Sequence, residues 1–504
     1  MRAERGADRN GMSTIVTGEL KRRLEANAFR LQDEMYCYPK VFQRESYDWA
    51  GDWEGRAILA LCGIYKAGIG AYSEHALGQV HAIVAHLDEY TNEDGYFGRK
   101  FDGNTVNEQQ LSGNSWFLRG LCAYYRITGE AAVLARIKRI CDTFLIRIGK
   151  YFDEYPLSER EEGGVGGHLE KRSIGHWLLS SDVGCAFILL DGITAAYELY
   201  PNDLLRGTIE KMLDNFLGLD FVKVHCQTHA TLSGVRGMLR FADSVGNTAL
   251  YAQAEKIFAI YQQCGMTLNY ANYNWFGKPY WTEPCGVVDS LIVAQKLFVH
   301  TKKASYLQLI SRIYRNAIRS GQRANGGAGC DTCLTETCNA MKVHLYEAYF
   351  CCSMRLAEGL ETLKAFSVCA DADGLLITGE PCRYTGEGVS LEVLREESGA
   401  GELVLRLNAQ RPRRVQIYFP KGTTVSCPFP FFREDLFVTF TAGSGTYRIA
   451  YKYGTYTEER FGHTVRFFGD DLLSRKNDDT DYTPIQDASV LTEKRQQELV
   501  QYFW

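Results

Sequence analysis

Five hundred and four residues, 45% hydrophobic and 23% charged, make a globular chain too long for one ordinary compact domain. The 56 basic and 61 acidic side chains sum to −5, which gives no reason to expect nucleic acid or an anionic membrane as partner. No run of about 18 apolar residues occurs, so no membrane-spanning helix is expected. The first ten residues lack an apolar core, so no secretory signal is expected either and the chain is assigned to the cytoplasm. In that reducing compartment, 16 cysteines point to metal or catalysis rather than to disulfides.

Residues 1–13 read as a disordered N-terminus, with Met12 as a candidate start. Residues 14–366 read as helical and repetitive. GLCAYYRITGEAAVLARIKRICDTF from Gly120 and GMLRFADSVGNTALYAQAEKIFAIY from Gly237 share one plan: an apolar helix, a small polar turn, then an amphipathic helix. The plan recurs from Gly192 and Leu291, more loosely from Ala57, and a sixth start lies at Met354. Six starts predict paired helices closing into an (α/α)6 toroid, with an open solenoid as the alternative. Intervening loops rich in Trp, Tyr, His and Gly favour the closed form.

Residues 370–468 change character. VSLEVLREE, GELVLRLNAQ, RRVQIYFP, LFVTFTA and TYRIAYKY alternate with near period two between Gly, Pro and Ser turns, which predicts a C-terminal antiparallel β-sandwich. Residues 469–504 read as a polar tail ending in a short helix, TEKRQQELVQYFW. The fold class is therefore mainly α with a β domain.

Cysteine groupings carry the chemistry. They are Glu283-Pro284-Cys285, Cys330-Asp331-Thr332-Cys333, Glu336-Thr337-Cys338 and the pair Cys351-Cys352. Zinc favours four ligands of sulfur, nitrogen or carboxylate oxygen in a tetrahedron, and Glu-x-Cys with Cys-Cys supplies such a set. Buried inert thiols are the alternative, and it is the expected state of Cys62, Cys122, Cys141 and Cys185 on apolar helix faces. Glu336 and Cys338 compete with Glu283 and Cys285 for the Glu-x-Cys role. The Asn325–Cys338 run offers either a second metal site or a Gly-rich lining for the funnel. Trp49, Trp53, Trp116, Trp177, Trp275 and Trp281 lie mostly in or beside predicted loops, which suits ring stacking on sugars.

The stretch WTEPCGVVDSLIVAQKLFVHTKKASYLQLISRIYRNAIRSG, with Cys351-Cys352-Ser353-Met354-Arg355 downstream, resembles the signature of glycoside hydrolase family 127, the β-L-arabinofuranosidases. Weaker likenesses lie at Asp94-Gly95-Tyr96, Tyr124 to Glu130, Thr228-His229-Ala230 and GELVLRLNAQRPRRVQIYFP. The resemblance implies an (α/α)6 barrel with β-sandwich attachments and a zinc held by Glu283, Cys285, Cys351 and Cys352. It also implies that Cys351 is the nucleophile of a retaining glycosidase and that His229 lies near the sugar. It favours Glu283 and Cys285 over Glu336 and Cys338, because the long helical signature follows them.

The chain also departs from that family. The family's acid/base glutamate precedes the Glu-x-Cys, yet CGMTLNYANYNWFGKPYWTEP holds no carboxylate between Cys264 and Glu283. Asp182, Glu170 and Asp331 are unranked substitutes. A family histidine falls near Asn114 to Trp116, where this chain has none. Asn269, Tyr270 and Asn272 offer hydrogen bonds to a sugar, and the candidate substrate-binding residues are His229, Tyr270 and Trp281. The expected function is release of a terminal furanose by a zinc-bound cysteine. The alternatives are a catalytically inactive carbohydrate-binding protein with structural zinc, or a sugar epimerase or lyase on the same toroid. The expected partner is a carbohydrate or glycoside, with self-association left open.

Overall fold

The computed structural model describes residues 12–42, 48–157, 169–343, 347–371, 374–386, 388–396, 398–476, 480–485 and 500–504. Among them are twelve α-helices of at least 9 residues. In chain order these are α1 (Gly18–Arg30), α2 (Asp52–Ala67), α3 (Gly70–Ala85), α4 (Glu108–Thr128), α5 (Ala131–Ile140) and α6 (Leu189–Tyr197). There follow α7 (Asp203–Leu217), α8 (Thr228–Val245), α9 (Ala249–Cys264), α10 (Pro284–Thr301), α11 (Ala304–Ile313) and α12 (Cys352–Ala365).

The even-numbered helices pack side by side in sequence, and α12 returns to α2, so the ring closes. The odd-numbered helices form an outer layer, α3 on α2, α5 on α4, α7 on α6, α9 on α8 and α11 on α10. The sixth outer place is filled from the N-terminus, because α1 packs on α12. Asn27 on α1 fixes that closure by donating to the carbonyls of Gly326 and Ser353, both at 3.0 Å.

Local chemistry explains the boundaries. Asn107 caps α4, its side chain accepting from the backbone N–H groups of Gln109 and Gln110. The small polar turns read from the repeats end α4 and α8 at Gly129 and Gly246, with φ of 69° and 68°, a left-handed state that glycine enters at little cost. Outer helices bury one stripe, as in α9 with Tyr251, Ala254, Ile257, Phe258 and Tyr261. Inner helices are buried nearly all round and touch through small residues. A Cβ on Gly55 of α2 would lie 2.2 Å from the backbone nitrogen of Phe117 on α4.

The sandwich pairs two sheets. One runs in the order Ser13–Val16, Cys382–Gly386, Val389–Arg395, Ala400–Ala409, Gly445–Lys452, Thr424–Ser426. The other runs Phe432–Glu434, Phe437–Ala442, Arg413–Tyr418, Gly374–Ile377, Val368–Ala370. All neighbours are antiparallel except Arg413–Tyr418 beside Gly374–Ile377, which is parallel. The expected disordered N-terminus lies outside the described residues up to residue 11, and Ser13–Val16 is an edge strand of the sandwich.

Residues 469–504 differ from the expected polar tail. Asp471–Lys476 is a strand in a third sheet with Thr455–Arg460, His463–Phe468, Val500–Tyr502 and the toroid segment Ala340–Lys342. Residues 492–499 of the expected terminal helix lie outside the described residues, and its last part, Val500–Tyr502, is extended. Tertiary pairing with Ala340–Lys342 overrides a weak helical pattern there. Among the described residues no helix is long and apolar enough to cross a membrane.

Candidate active site

The inner helices point their N-termini at one end of the ring, and a cavity of about 560 Å³ opens there. Its wall includes Asp52 and Arg56 from the first turns of α2, Ser112 from α4 and Ile188 just before α6. Gln227 and His229 come from the start of α8, Glu283 from the cap of α10, and Cys351 and Cys352 from the start of α12. Helix N-termini carry partial positive charge and unpaired N–H groups, so this end favours anionic side chains and thiolates.

At its floor, donor atoms of Glu283, Cys285, Cys351 and Cys352 lie within 4.8 Å of one another, a group that could hold a metal ion. Sγ of Cys352 is 3.4 Å from Sγ of both Cys285 and Cys351. Local geometry makes this cluster. Pro284 begins α10 with φ already suited to a helix, while Glu283 stays extended at the cap, so Glu283 and Cys285 both face the floor. Burial pushes the thiols of Cys285 and Cys352 well above the ordinary range. Cys351 is pushed the same way, first by its contact with Cys285 and then by burial. Cys285 and Cys352 are 0% exposed and Cys351 is 8% exposed, so of the three only Cys351 offers surface to a ligand.

Asn274, oriented to satisfy both ends of its amide, donates to Oε2 of Glu283 and accepts from Nε1 of Trp281 at 3.1 Å. Arg56 donates to Asp52 through Nε at 2.7 Å and a terminal nitrogen at 3.1 Å. It also approaches Cys285 Sγ at 3.6 Å and lies 4.0 Å over the ring of Trp116. His229 Nδ1 donates to Oδ2 of Asp289 at 2.6 Å, which leaves Nε2 as an acceptor 3.4 Å from Arg56.

Below the floor lies an ionic network. Asp289 also accepts from Ser233 at 3.1 Å, from Arg236 at 2.6 Å and from Arg355. Burial opposes its ionisation, but Arg355, Arg236 and His229 together hold it well below the usual carboxylate range. Asp191 pairs with Arg119, Arg236 and Arg240, and Glu358 pairs with Arg119, Arg236 and Arg355.

Of the residues singled out in the sequence, Glu283, Cys285, Cys351 and Cys352 come together, and His229 and Trp281 line the same cavity. Tyr270 does not. It is 2% exposed, and its hydroxyl accepts from Arg312 at 2.8 Å and Arg460 at 2.9 Å, away from the cavity wall and against the Thr455–Phe468 hairpin. The Thr267–Tyr270 turn, with Tyr270 at φ 65°, sends the ring to that side. Asn269 and Asn272 are likewise buried, and Asn272 holds the backbone N–H of Glu283 at 2.8 Å.

Cys330 joins the cavity wall, whereas Cys333 is buried against the carbonyl of Asn272 and Cys338 is exposed. Among the described residues no second metal-ligating cluster forms. Of the tryptophans, Trp49, Trp275 and Trp281 line the cavity, while Trp116 and Trp177 are core. Sequence reading missed Asp52, Arg56, Asn274 and Asp289, although Asn274 stands between Tyr273 and Trp275 and Asp289 follows Cys285 by four residues in the quoted signature. Those aromatic and cysteine neighbours, with the cap position of Glu283, were the local signals near them.

No sequence-family model matches the chain, and no curated protein matches it in sequence. Solved structures do match. A GH127 β-arabinofuranosidase superimposes with a TM-score of 0.66 at 12% identity, over 92% of this chain and 84% of that one. A GH127 β-L-arabinofuranosidase from Geobacillus stearothermophilus T6 gives 0.64 at 10% identity, over 92% and 86%. A structure described as a glycoside hydrolase gives 0.65 at 10% identity, over 92% and 82%. The chain therefore has the toroid-and-sandwich fold of the GH127 β-arabinofuranosidase structures, resembling them in architecture while diverging in sequence.

Proposed function

We propose that the protein is a retaining glycoside hydrolase that releases a terminal furanose, a β-L-arabinofuranoside or a close relative, with Cys351 as nucleophile. The observation that carries this reading is the donor set of three thiols and one carboxylate on the floor of an aromatic-walled cavity. Its composition suits zinc, with Glu283, Cys285, Cys351 and Cys352 as the ligands. When bound, such an ion holds thiols as thiolates at neutral pH. Sixteen unbonded cysteines fit a reducing, cytoplasmic setting.

The chain's own residues then divide the work. Cys351, the least buried thiol of the set, is aimed at the anomeric carbon of a sugar in the cavity. His229, its Nδ1 proton fixed on Asp289, presents Nε2 to a sugar hydroxyl. Trp281, held by Asn274, and Trp49 offer ring faces to the sugar. Arg56 puts positive charge beside Cys285.

Metal analysis of the purified protein and mass spectrometry after a cysteine-directed cyclic sugar inactivator test this reading. The expected result is about one zinc per chain and a single adduct on Cys351. Labelling that survives Cys351→Ser, or protein free of zinc, overturns it. A carbohydrate-binding protein with structural zinc is the second reading, favoured by the carboxylate-free stretch from Cys264 to Thr282. Sugar binding without turnover of any pNP-glycoside is the result that selects it.

A further inference from the structure

Two-step hydrolysis at a cysteine needs a group that protonates the leaving oxygen and then takes a proton from water. Among the described residues, the carboxylates lining the cavity are Asp52, Asp182 and Glu283. Asp52 is held by both arms of Arg56, and Glu283 belongs to the donor cluster. Asp331 is spent on Arg323 at 2.7 Å, and the Glu170 side chain lies outside the described residues.

Asp182 remains. Its Oδ1 accepts from Nε1 of Trp275 at 3.1 Å, and Nε2 of Gln227 donates to Oδ2 at 3.5 Å. Among the described residues no lysine, arginine or histidine pairs with it. We propose that Asp182 is the general acid/base of this site, supplied by the loop between the Trp177–Ser180 strand and α6 rather than by the segment before Glu283. The inference rests on the glycosidase reading above.

The loop is built to hold one geometry. The Asp182 backbone N–H donates to Ser180 Oγ at 3.2 Å, its carbonyl accepts from Cys185 at 3.1 Å, and the carbonyl of Val183 accepts from Gln227 at 3.0 Å. Gly184 supplies the left-handed turn at φ 91°. Among the described residues, the charged groups acting on Asp182 are Glu283 and Glu108, both carboxylates. Burial, then Glu283, push the carboxyl of Asp182 up to about 7, against the pull of the Trp275 bond. A group poised there serves as acid and as base near neutral pH.

In the first step Cys351 Sγ forms a bond to the anomeric carbon, the glycosidic C–O bond breaks, and the Asp182 proton passes to the leaving oxygen. In the second, Asp182 takes a proton from water, whose oxygen bonds the anomeric carbon as the C–S bond breaks. Cys351 and the protonated Asp182 are thereby restored.

The test compares zinc-loaded wild type with Asp182→Asn on methyl and p-nitrophenyl β-L-arabinofuranosides. We expect at least a 100-fold loss on the methyl glycoside, whose leaving group needs the proton. On the aryl glycoside we expect a burst of p-nitrophenol followed by slow turnover, accelerated by azide with a β-glycosyl azide as product. Wild type inactive on every glycoside overturns the glycosidase reading itself. Active wild type, with a variant that keeps full methyl-glycoside turnover or shows no azide rescue, overturns the Asp182 assignment alone. If the asparagine variant does not fold, Asp182→Glu replaces it. A shifted limb in its pH profile for kcat/KM then supports the assignment, and an unmoved profile overturns it.

Discussion

Two ionic regions meet at His229, and they are balanced in different ways. Below the cavity floor, Arg119, Arg236, Arg240 and Arg355 compensate Asp191, Asp289 and Glu358 with side chains of the chain itself. On the floor, Glu283 and three thiols face one another, and the nearest guanidinium, Arg56, is already committed to Asp52. Each carboxylate of the network is paired with arginines of the chain, whereas the floor is a set of donors suited to an added cation. Both lie among inner helices that are buried nearly all round, so the contrast comes from partners and not from depth.

Breaking the network has the largest expected effect. Asp289→Ala leaves Arg236 and Arg355 without their shared carboxylate, with an expected loss of about 3–5 kcal/mol in urea unfolding. Chelation of the floor comes next. At an initial free-metal level of about 100 times Kd, its removal costs about 2.7 kcal/mol and makes one further thiol, that of Cys351, reactive towards a disulfide reagent. A stability loss without new reactive thiols would place the metal elsewhere.

The two regions also differ in pH response. Asp289 and Asp191 are depressed by their arginines, so their contribution is present above about pH 4 and is lost as pH falls further. Asp182 is raised to about 7, so the folded state keeps a proton that the unfolded chain releases near pH 4. Stability from that group falls as pH rises between about 4 and 7. The difference in urea midpoint between wild type and Asp182→Asn is expected to grow across that interval in favour of the variant. The smallest effect belongs to Cys338→Ser. This exposed thiol stands apart from the cluster, and the change is expected to shift stability by less than about 0.5 kcal/mol with zinc content unaltered.

Much of the fold was legible because helix pairs are local. Apolar periodicity and the Gly129 and Gly246 caps act within one repeat, and alternation in 389–452 marks the sandwich strands. Closure by α1 was not legible, because it joins residues separated by most of the toroid, as Asn27 to Ser353 shows. The same holds for strand Val500–Tyr502, whose short stretch resembles a helix until Ala340–Lys342 pairs with it.

The amino-acid sequence by itself determined the repeat plan and narrowed the floor donors to Cys351-Cys352 with one of two Glu-x-Cys pairs, of which the family resemblance favoured Glu283 and Cys285. Glu283-x-Cys285 and Cys351-Cys352 are short-range pairs set at helix starts, the first of them marked by Pro284 in the first turn of α10. Tertiary structure alone decided which remaining groups join them. It turned Tyr270 toward Arg312 and Arg460, left Cys333 and Cys338 apart, and brought Arg56, Asp289 and Asp182 to the cavity or its floor. Those placements follow from ring closure, which converges six helix starts that are remote along the chain. No local pattern encodes a contact between them.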